Sequence, residues 1–221
     1  MKVAVLRPEP GASRTAERAR ARGLDVLVRP LFETRPLAWN PPDPARYDAL
    51  LLTSAAALRH AGSGLDALRH LRVVAVGPET ARAARQAGLG LALTGDAGAA
   101  GAVQLARERG LSHLLHLAGR ERTPDLPGVE PVTVYASEAL PIEPGWTSFL
   151  GGVTALVHSP RAAARLAELV DRDGTPRHGI SLAAISPAAL AVAGSGWAAA
   201  LAASRPDDEA LLELLGFHRP D

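Results

Sequence analysis

The feature of this sequence that most constrains the fold is a pattern of short apolar runs that occurs twice. LLLTSAAAL (residues 50–58) resembles ALVHSPRAA (155–163), and VVAVGPETA (73–81) resembles LAAISPAAL (182–190). The serines of the first pair are 105 residues apart and the prolines of the second pair 109. The same order of units recurs with nearly constant spacing, which indicates an internal duplication.

Within each copy, short apolar runs alternate with helical stretches that end at glycine. KVAVL (residues 2–6) is typical of a buried strand, and Gly23, Gly88 and Gly110 each follow a helical stretch. Strands that alternate with helices predict parallel sheets. We therefore predict an α/β fold with two similar doubly wound parallel-sheet domains of the flavodoxin-like kind, joined by a two-stranded linker.

Two extended segments indicate where the chain passes between these domains. Residues 132–140 (VTVYASEAL), which include Tyr135, begin with the alternation and β-branched residues of a strand, and residues 26–37 (VLVRPLFETRPL) are similar. Only three strands follow the second crossing, too few for a complete sheet, so we expect the first βαβ unit to join them. The expected division is residues 1–34 with 140–221 as one domain, 39–134 as the other, and 35–38 and 135–139 as linkers.

Composition excludes several classes of protein. The 221 residues are 47% hydrophobic, enough for a proper core, and no window approaches the roughly 18 to 20 apolar residues of a membrane span. The start, MKVAVLRP, has the pattern of a strand and not of a signal peptide, so we expect a cytoplasmic protein. There is no cysteine, which excludes disulfides, thiolate metal sites and cysteine nucleophiles. A net charge of +1 argues against a nucleic-acid partner.

Small polar residues and arginines follow the predicted strands. In parallel sheets this is the edge where ligands bind, because helix N-termini there offer unpaired N–H groups. Taken together they indicate a cleft that binds anions, although Ser, Thr and Gly also cap helices in any α/β protein. The strand ends are Arg7-Pro8, Thr53-Ser54, Gly77-Pro78-Glu79-Thr80, Gly119-Arg120, Ser159-Pro160 and Ser186-Pro187.

Other chemistries find little support. The sequence has no GxxxxGK[ST] phosphate loop, no GxGxxG after a strand and no Gly-x-Ser-x-Gly elbow. His113 and His116 are three residues apart on a predicted strand, so they point to opposite faces and do not form a metal site. What remains is a two-domain cleft without a cofactor or a nucleophile.

The ordered set of motifs resembles the uroporphyrinogen-III synthase family over essentially the whole chain. Each motif is weak alone, and their order along the chain makes the set specific. The matching residues are Arg7-Pro8, Thr53-Ser54, Val76-Gly77 with Thr80-Ala81, Gly119 with Arg120 and Arg122, Val132 with Tyr135, and Ser159-Pro160.

The resemblance implies a lyase that acts on hydroxymethylbilane, a linear tetrapyrrole with eight carboxylates, without a cofactor or a metal. The enzyme would remove the terminal hydroxyl as water and close the ring with inversion of ring D, as a monomer without a membrane or nucleic-acid partner. The resemblance assigns catalysis to Tyr135 and Thr80. It assigns substrate binding to Arg7, Thr53, Ser54, Gly77, Gly119, Arg120, Arg122, Ser159 and Ser186.

One departure from the family pattern leaves alternatives open. The second repeat of the family usually reads Ile-Gly-x-Thr-Thr-Ala, whereas this chain has ISPAAL at residues 185–190 and so lacks the hydroxyl expected near Ala189. Ser186 offers a replacement donor. The alternatives are a non-catalytic binding or regulatory homologue with the same fold, or a sugar- or anion-binding protein.

Overall fold

A computed structural model describes residues 1–122 and 126–217; residues 123–125 and 218–221, which fall within the expected domains, lie outside the described part. It contains strands and helices in regular alternation. The strands are β1 (Lys2–Val5), β2 (Asp25–Val28), β3 (Phe32–Pro36), β4 (Ala49–Leu52), β5 (Arg72–Val76), β6 (Leu91–Gly95), β7 (Leu114–Gly119), β8 (Val129–Ala139), β9 (Thr154–Val157), β10 (Ser181–Ala184) and β11 (Ala199–Ala202).

The helices that connect these strands are short. They are α1 (Gly11–Ala21), α2 (Ala55–His60), α3 (Pro78–Gln86), α4 (Gly98–Arg107), α5 (Pro160–Arg172), α6 (Pro187–Ala193) and α7 (Asp208–Glu213). The described residues also form 3-10 turns at Pro44–Arg46, Gly62–Leu68, Trp146–Leu150, Arg177–Gly179 and Leu214–Phe217. Across residues 1–122 and 126–217, no helix combines the length and the apolar character that crossing a membrane requires.

The chain divides into two compact units. The first contains Met1–Glu33 and Ala139–Asp221, and the second contains Thr34–Glu138. In the first unit the strands follow the order β11-β10-β9-β1-β2, and every neighbouring pair is parallel. If the five strands β1, β2, β9, β10 and β11 are numbered 1 to 5 and the sheet is followed from β2, the order is 2-1-3-4-5. This is the doubly wound flavodoxin-like arrangement. Its topological switch point lies between β1 and β9.

The second unit has the order β3-β8-β7-β4-β5-β6, and the pairs from β8 to β6 are parallel. If β4 is matched to β9, then β5, β6, β7 and β8 match β10, β11, β1 and β2. The two sheets therefore have the same strand order with a permuted chain, as an internal duplication predicts. The switch point of the second unit lies between β4 and β7. The predicted α/β class with two doubly wound parallel sheets is confirmed.

Both faces of each sheet are buried, so the central strands are continuously apolar. In β4 every residue is fully buried, with Leu50 and Leu52 in one core cluster and Ala49 and Leu51 in another. In β1, similarly, alternate residues enter opposite clusters. Helices therefore cover both faces, and the loops at the carboxyl ends of the strands remain available for a site.

Two predicted elements differ from the observed ones. Residues 26–37 form two strands and not one. The break falls at Pro30, which has no N–H to donate. Its neighbours do bond to the adjacent chain: the N–H of Arg29 donates to β1, and the N–H of Leu31 donates to Leu6, the residue after β1. The sequence pattern also predicts a helix over residues 65–71, whereas the structure has the 3-10 turn Gly62–Leu68 in this region. There the ring of Trp39 packs on Gly64, where a Cβ would lie 2.6 Å from Trp39 Cζ2, and glycine disfavours a regular helix.

Candidate functional site

The second unit gathers several of the predicted residues at the carboxyl ends of β4 and β7. Tyr135 reaches this edge through an irregularity in β8. Ala118 lies opposite Thr133, but the next residue, Gly119, lies opposite Tyr135, so β8 carries one extra residue at Val134. Such bulges redirect the side chains that follow them. Here the bulge sets Tyr135 beside the last residue of β7.

The phenol ring of Tyr135 is held by its neighbours. A Cβ at Gly119 would lie 2.8 Å from Tyr135 Cζ and 3.0 Å from its Oη, so the ring lies directly on the glycine backbone. The ring of His60 is stacked on Tyr135 with centroids 5.9 Å apart, and His60 Nε2 is 2.9 Å from Thr34 Oγ1. These contacts leave the phenol with little rotational freedom.

The hydroxyl of Tyr135 is in contact with the start of α2. Ser54 caps that helix, and its Oγ accepts a hydrogen bond from the Ala56 N–H at 3.2 Å. Burial raises the pKa of Tyr135, and the hydrogen bond with Ser54 offsets only part of that rise. The phenol is therefore protonated at neutral pH and can donate a hydrogen bond or a proton.

Thr53, next to Ser54, forms a pair with a buried histidine. Thr53 Oγ1 lies 3.0 Å from Nε2 of His116, which is 7% exposed. Burial, with a smaller effect from the charge of Arg122, lowers the pKa of His116 to about 4. The imidazole is therefore neutral at pH 7. From the sequence we considered His116 only as a metal ligand and did not predict this pair. The one signal of it in the sequence is that a polar residue, His116, lies within an apolar strand.

The two histidines of the HLLH run lie in different environments. The His113 side chain is 75% exposed, with Nδ1 3.8 Å from Asp48 Oδ2, whereas His116 is buried. Among the described residues, no group of three or more His, Asp or Glu side chains is arranged to hold a metal ion.

The two arginines after β7 differ in what they approach. The backbone N–H of Arg120 donates to the carbonyl of Tyr135 at 2.9 Å, while its guanidinium lies 3.6 Å from Glu138. Arg122 Nη1 donates to Thr133 Oγ1 at 3.4 Å, and Arg122 lines a pocket of about 800 Å³ with residues at the amino ends of β7 and β8. The structure therefore does not gather Arg122 with Tyr135.

Gly77 and Thr80 lie at the start of α3. Gly77 adopts φ +79°, which favours glycine, and its N–H donates to the Gly95 carbonyl at 2.7 Å. Thr80 is 5% exposed in the first turn of a helix without a side-chain cap. No hydrogen bond joins Thr80 to Tyr135 within residues 1–122 and 126–217.

In the first unit, the predicted serines both cap helices. Ser159 Oγ accepts from the Ala162 N–H at 3.1 Å, and Ser186 Oγ accepts from the Ala189 N–H at 3.2 Å. Capping uses one lone pair of each hydroxyl and leaves its proton available to a ligand. Ala189 is fully buried in the first turn of α6, at the place that Thr80 has in α3.

Arg7 belongs to a polar cluster around Asp208, which is 8% exposed. Arg7 Nη1 donates to Asp208 Oδ1 at 3.0 Å and to Thr15 Oγ1 at 3.4 Å; Thr15 and Arg18 both donate to Oδ2 at 2.8 Å. His158 Nε2 lies 3.2 Å from Oδ1 but is not aligned as a donor in a hydrogen bond. Sequence reasoning missed Asp208, which is 201 residues from Arg7.

The charges in this cluster follow from burial and proximity. Burial raises the pKa of Asp208, but contacts with His158, Thr15 and Arg7 outweigh it and hold this pKa well below its usual range. Burial lowers the pKa of His158, against the opposing effect of Asp208. At neutral pH the cluster therefore contains two arginine cations, one carboxylate and one neutral imidazole.

Comparison with solved structures shows a similar fold in proteins of one family. The uroporphyrinogen-III synthetase of Helicobacter pylori 26695 superposes with a TM-score of 0.66 at 15% identity, covering 99% of this chain and 100% of that one. A mutant uroporphyrinogen III synthase of the extremely thermophilic bacterium Thermus thermophilus gives 0.54 at 14% identity, with coverages of 98% and 97%. No curated protein sequence matches this chain significantly.

The sequence itself matches one family model over most of its length. The model of uroporphyrinogen-III synthase HemD matches residues 13–213. The resemblance inferred from the order of the strand-end motifs is thereby confirmed, and the family places the protein in tetrapyrrole biosynthesis. The chain belongs to the uroporphyrinogen-III synthase family.

Proposed function

We propose that this protein is an active uroporphyrinogen-III synthase, a lyase that closes hydroxymethylbilane with loss of water and inversion of ring D. The observation that carries the proposal is the placement of Tyr135 in the second unit. Its protonated phenol lies at the carboxyl edge of the sheet, against Gly119 and stacked on His60. This is a proton donor of fixed orientation at the edge where parallel sheets bind ligands.

In the proposed first step, the C–O bond to the terminal hydroxyl breaks. The pyrrole nitrogen supplies the electron pair, Tyr135 Oη–H donates a proton to the departing oxygen, and water leaves. The proton then lost from the pyrrole nitrogen returns the Tyr135 phenolate to its phenol form. The resulting azafulvene is attacked by the last pyrrole ring, which inverts through a spiro intermediate. A general acid of this kind contributes about 10² to 10⁴-fold to the rate.

The main task of the enzyme is orientation, because the substrate cyclises unaided to the non-inverted isomer. Holding the reacting carbons in the inverting geometry can supply a large part of the acceleration. We assign the substrate carboxylates to hydroxyls, helix N-termini and arginines at the strand ends of each unit. The assigned residues are Arg7, Thr53, Ser54, Gly77, Gly119, Arg120, Arg122, Ser159 and Ser186. We assign a catalytic role to Thr80 in addition to that of Tyr135.

The test supplies hydroxymethylbilane to the purified protein and identifies the isomer of the oxidised product. We expect isomer III, formed faster than the isomer I that appears in a reaction without protein. Isomer I alone, at the spontaneous rate, would refute the enzyme proposal. A small-molecule substrate, a cytoplasmic location and a monomeric state, all expected from the sequence, also belong to this proposal. Sedimentation of the purified protein tests the monomeric state.

The second candidate is a non-catalytic binding homologue, which the alanine at position 189 favours. That candidate predicts that the protein binds uroporphyrin III, which the fluorescence of the porphyrin would detect. It also predicts that hydroxymethylbilane still gives only isomer I in the presence of the protein. Formation of isomer III above the spontaneous background would exclude it.

A further inference from the structure

The guanidinium of Arg7 is engaged along one edge only. Its Nη1 contacts Asp208 and Thr15, whereas Nε and Nη2 have no hydrogen bond to any described residue. The side chain is 27% exposed. Two adjacent N–H groups of a guanidinium match the two oxygens of a carboxylate, so this edge retains the pair of donors that a bidentate contact needs.

The residue beside this edge is a glycine. A Cβ at Gly11 would lie 2.5 Å from Arg7 Nε and 2.9 Å from Nη2, so only glycine leaves room for the guanidinium against the first turn of α1. The nearest acidic residue along the chain, Glu9, accepts hydrogen bonds from the N–H and hydroxyl of Ser13 at 3.0 and 2.9 Å. That carboxylate is therefore occupied at the helix terminus.

The orientation of Arg7 depends on Asp208. The Asp208 carboxylate is itself fixed, because Oδ2 accepts from Thr15 and Arg18 while Oδ1 accepts from Arg7. With two arginines and one aspartate, the cluster keeps one net positive charge, which an anion can neutralise. A guanidinium already held in place loses less conformational entropy on binding than a free one.

We propose that Asp208 is a positioning residue that holds the Nε–Nη2 edge of Arg7 ready for one carboxylate of the substrate, on an acetate or propionate side chain. This inference rests on the proposed function and adds to it a residue from the other end of the chain. Asp208 does not touch the substrate and acts through Arg7.

The test is steady-state kinetics with hydroxymethylbilane on the full chain, with the thermal unfolding midpoint of each variant. For Asp208→Asn we expect KM to rise about tenfold and kcat to change less than about threefold, since binding and not the chemical step is affected. Arg7→Gln should give the same rise. The double variant should be no worse than Arg7→Gln alone, because both changes remove one interaction.

Two further variants separate positioning from stability. Gly11→Ala displaces the guanidinium while keeping Asp208 and every charge, and should also raise KM about tenfold. Arg22→Gln removes an arginine that bonds Glu209 and not Asp208, so it is the matched control and should leave KM within about twofold. An unchanged KM in both Asp208→Asn and Gly11→Ala, or additive effects in the double variant, would make the Arg7–Asp208 pair purely structural.

The outcome also separates this inference from the proposed function. If the unmodified protein makes isomer III and the variants keep its KM, only the positioning role fails. If it makes isomer I alone, the proposed function fails, and affinity for uroporphyrin III decides the positioning role. Binding about tenfold weaker in Asp208→Asn and Gly11→Ala would support that role, and equal binding would overturn it.

Discussion

The phenol of Tyr135 occupies the space in which any other residue at position 119 would place its Cβ, 2.8 Å from Cζ. This contact joins the end of β7 to the strand beside it and depends on the extra residue in β8. Glycine is therefore needed at position 119 because it has no side chain that would clash with Tyr135. Its backbone conformation does not require glycine, since its φ lies outside the left-handed region.

We predict that Gly119→Ala lowers kcat for isomer III by about 10²-fold, because displacement of a catalytic group by about 1 Å is enough for a loss of that size. The variant should stay folded by circular dichroism. Gly90→Ala is the matched control, as a Cβ there meets no atom within 4 Å, and its kcat should equal that of the unmodified protein. Equal kcat values for the two variants would contradict the role assigned to this contact.

Tyr135→Phe should lower kcat by about 10²-fold or more while changing the free energy of unfolding by less than about 1.5 kcal/mol. The ring keeps its packing on Gly119 and His60, and only the hydroxyl is lost. Tyr47→Phe, at the other tyrosine of the sequence, is the control and should keep full turnover. An unchanged turnover number in Tyr135→Phe would refute the proton-donor role.

Stability should fall in acid partly through His116. Its folded pKa of about 4 lies below the value of about 6.5 expected in the unfolded chain. Above pH 6.5 the imidazole is neutral in both states and has no effect. As the pH falls from 6.5 to 4, the unfolded chain takes up a proton that the folded protein does not, so stability declines by up to about 3 kcal/mol.

The measurement is urea unfolding at several values of pH for the unmodified protein and His116→Gln. The variant should lose less stability than the unmodified protein between pH 6.5 and 4. His158, whose pKa burial also lowers, contributes equally to both proteins, so the difference isolates His116. Identical pH profiles would show that His116 is not protected from protonation by folding.

Restoring the hydroxyl that the family pattern expects should not improve the enzyme. Ala189 is fully buried, so the larger side chain of Ala189→Thr should cost about 1–3 kcal/mol of stability. We expect kcat to rise less than about twofold, because Ser186 already satisfies the N–H at this helix start. Ala191→Thr, on the exposed side of α6, is the control and should cost less than about 1 kcal/mol. A tenfold higher kcat in Ala189→Thr would show that the missing hydroxyl limits this protein.

Part of the site was predictable because it follows from local pattern. The strand ends of the candidate site are marked by a change from apolar residues to Ser, Thr, Gly or Arg, and Ser54, Ser159 and Ser186 cap the helices that begin there. Tyr135 was identified from the order of motifs along the chain. The structure adds what holds it in place, namely Gly119, His60 and the bulge in β8, none of which has a periodic signature.

The sequence by itself determined the α/β class, the duplicated order of strands and helices, and the family, because apolar periodicity, helix-ending glycines and ordered motifs are properties of local stretches. The tertiary structure alone decided which side chains meet. Arg7 and Asp208 are 201 residues apart, and Thr53 and His116 are 63 apart on neighbouring strands. Such contacts depend on strand order, register and one extra residue in β8, which are settled only when the whole sheet packs.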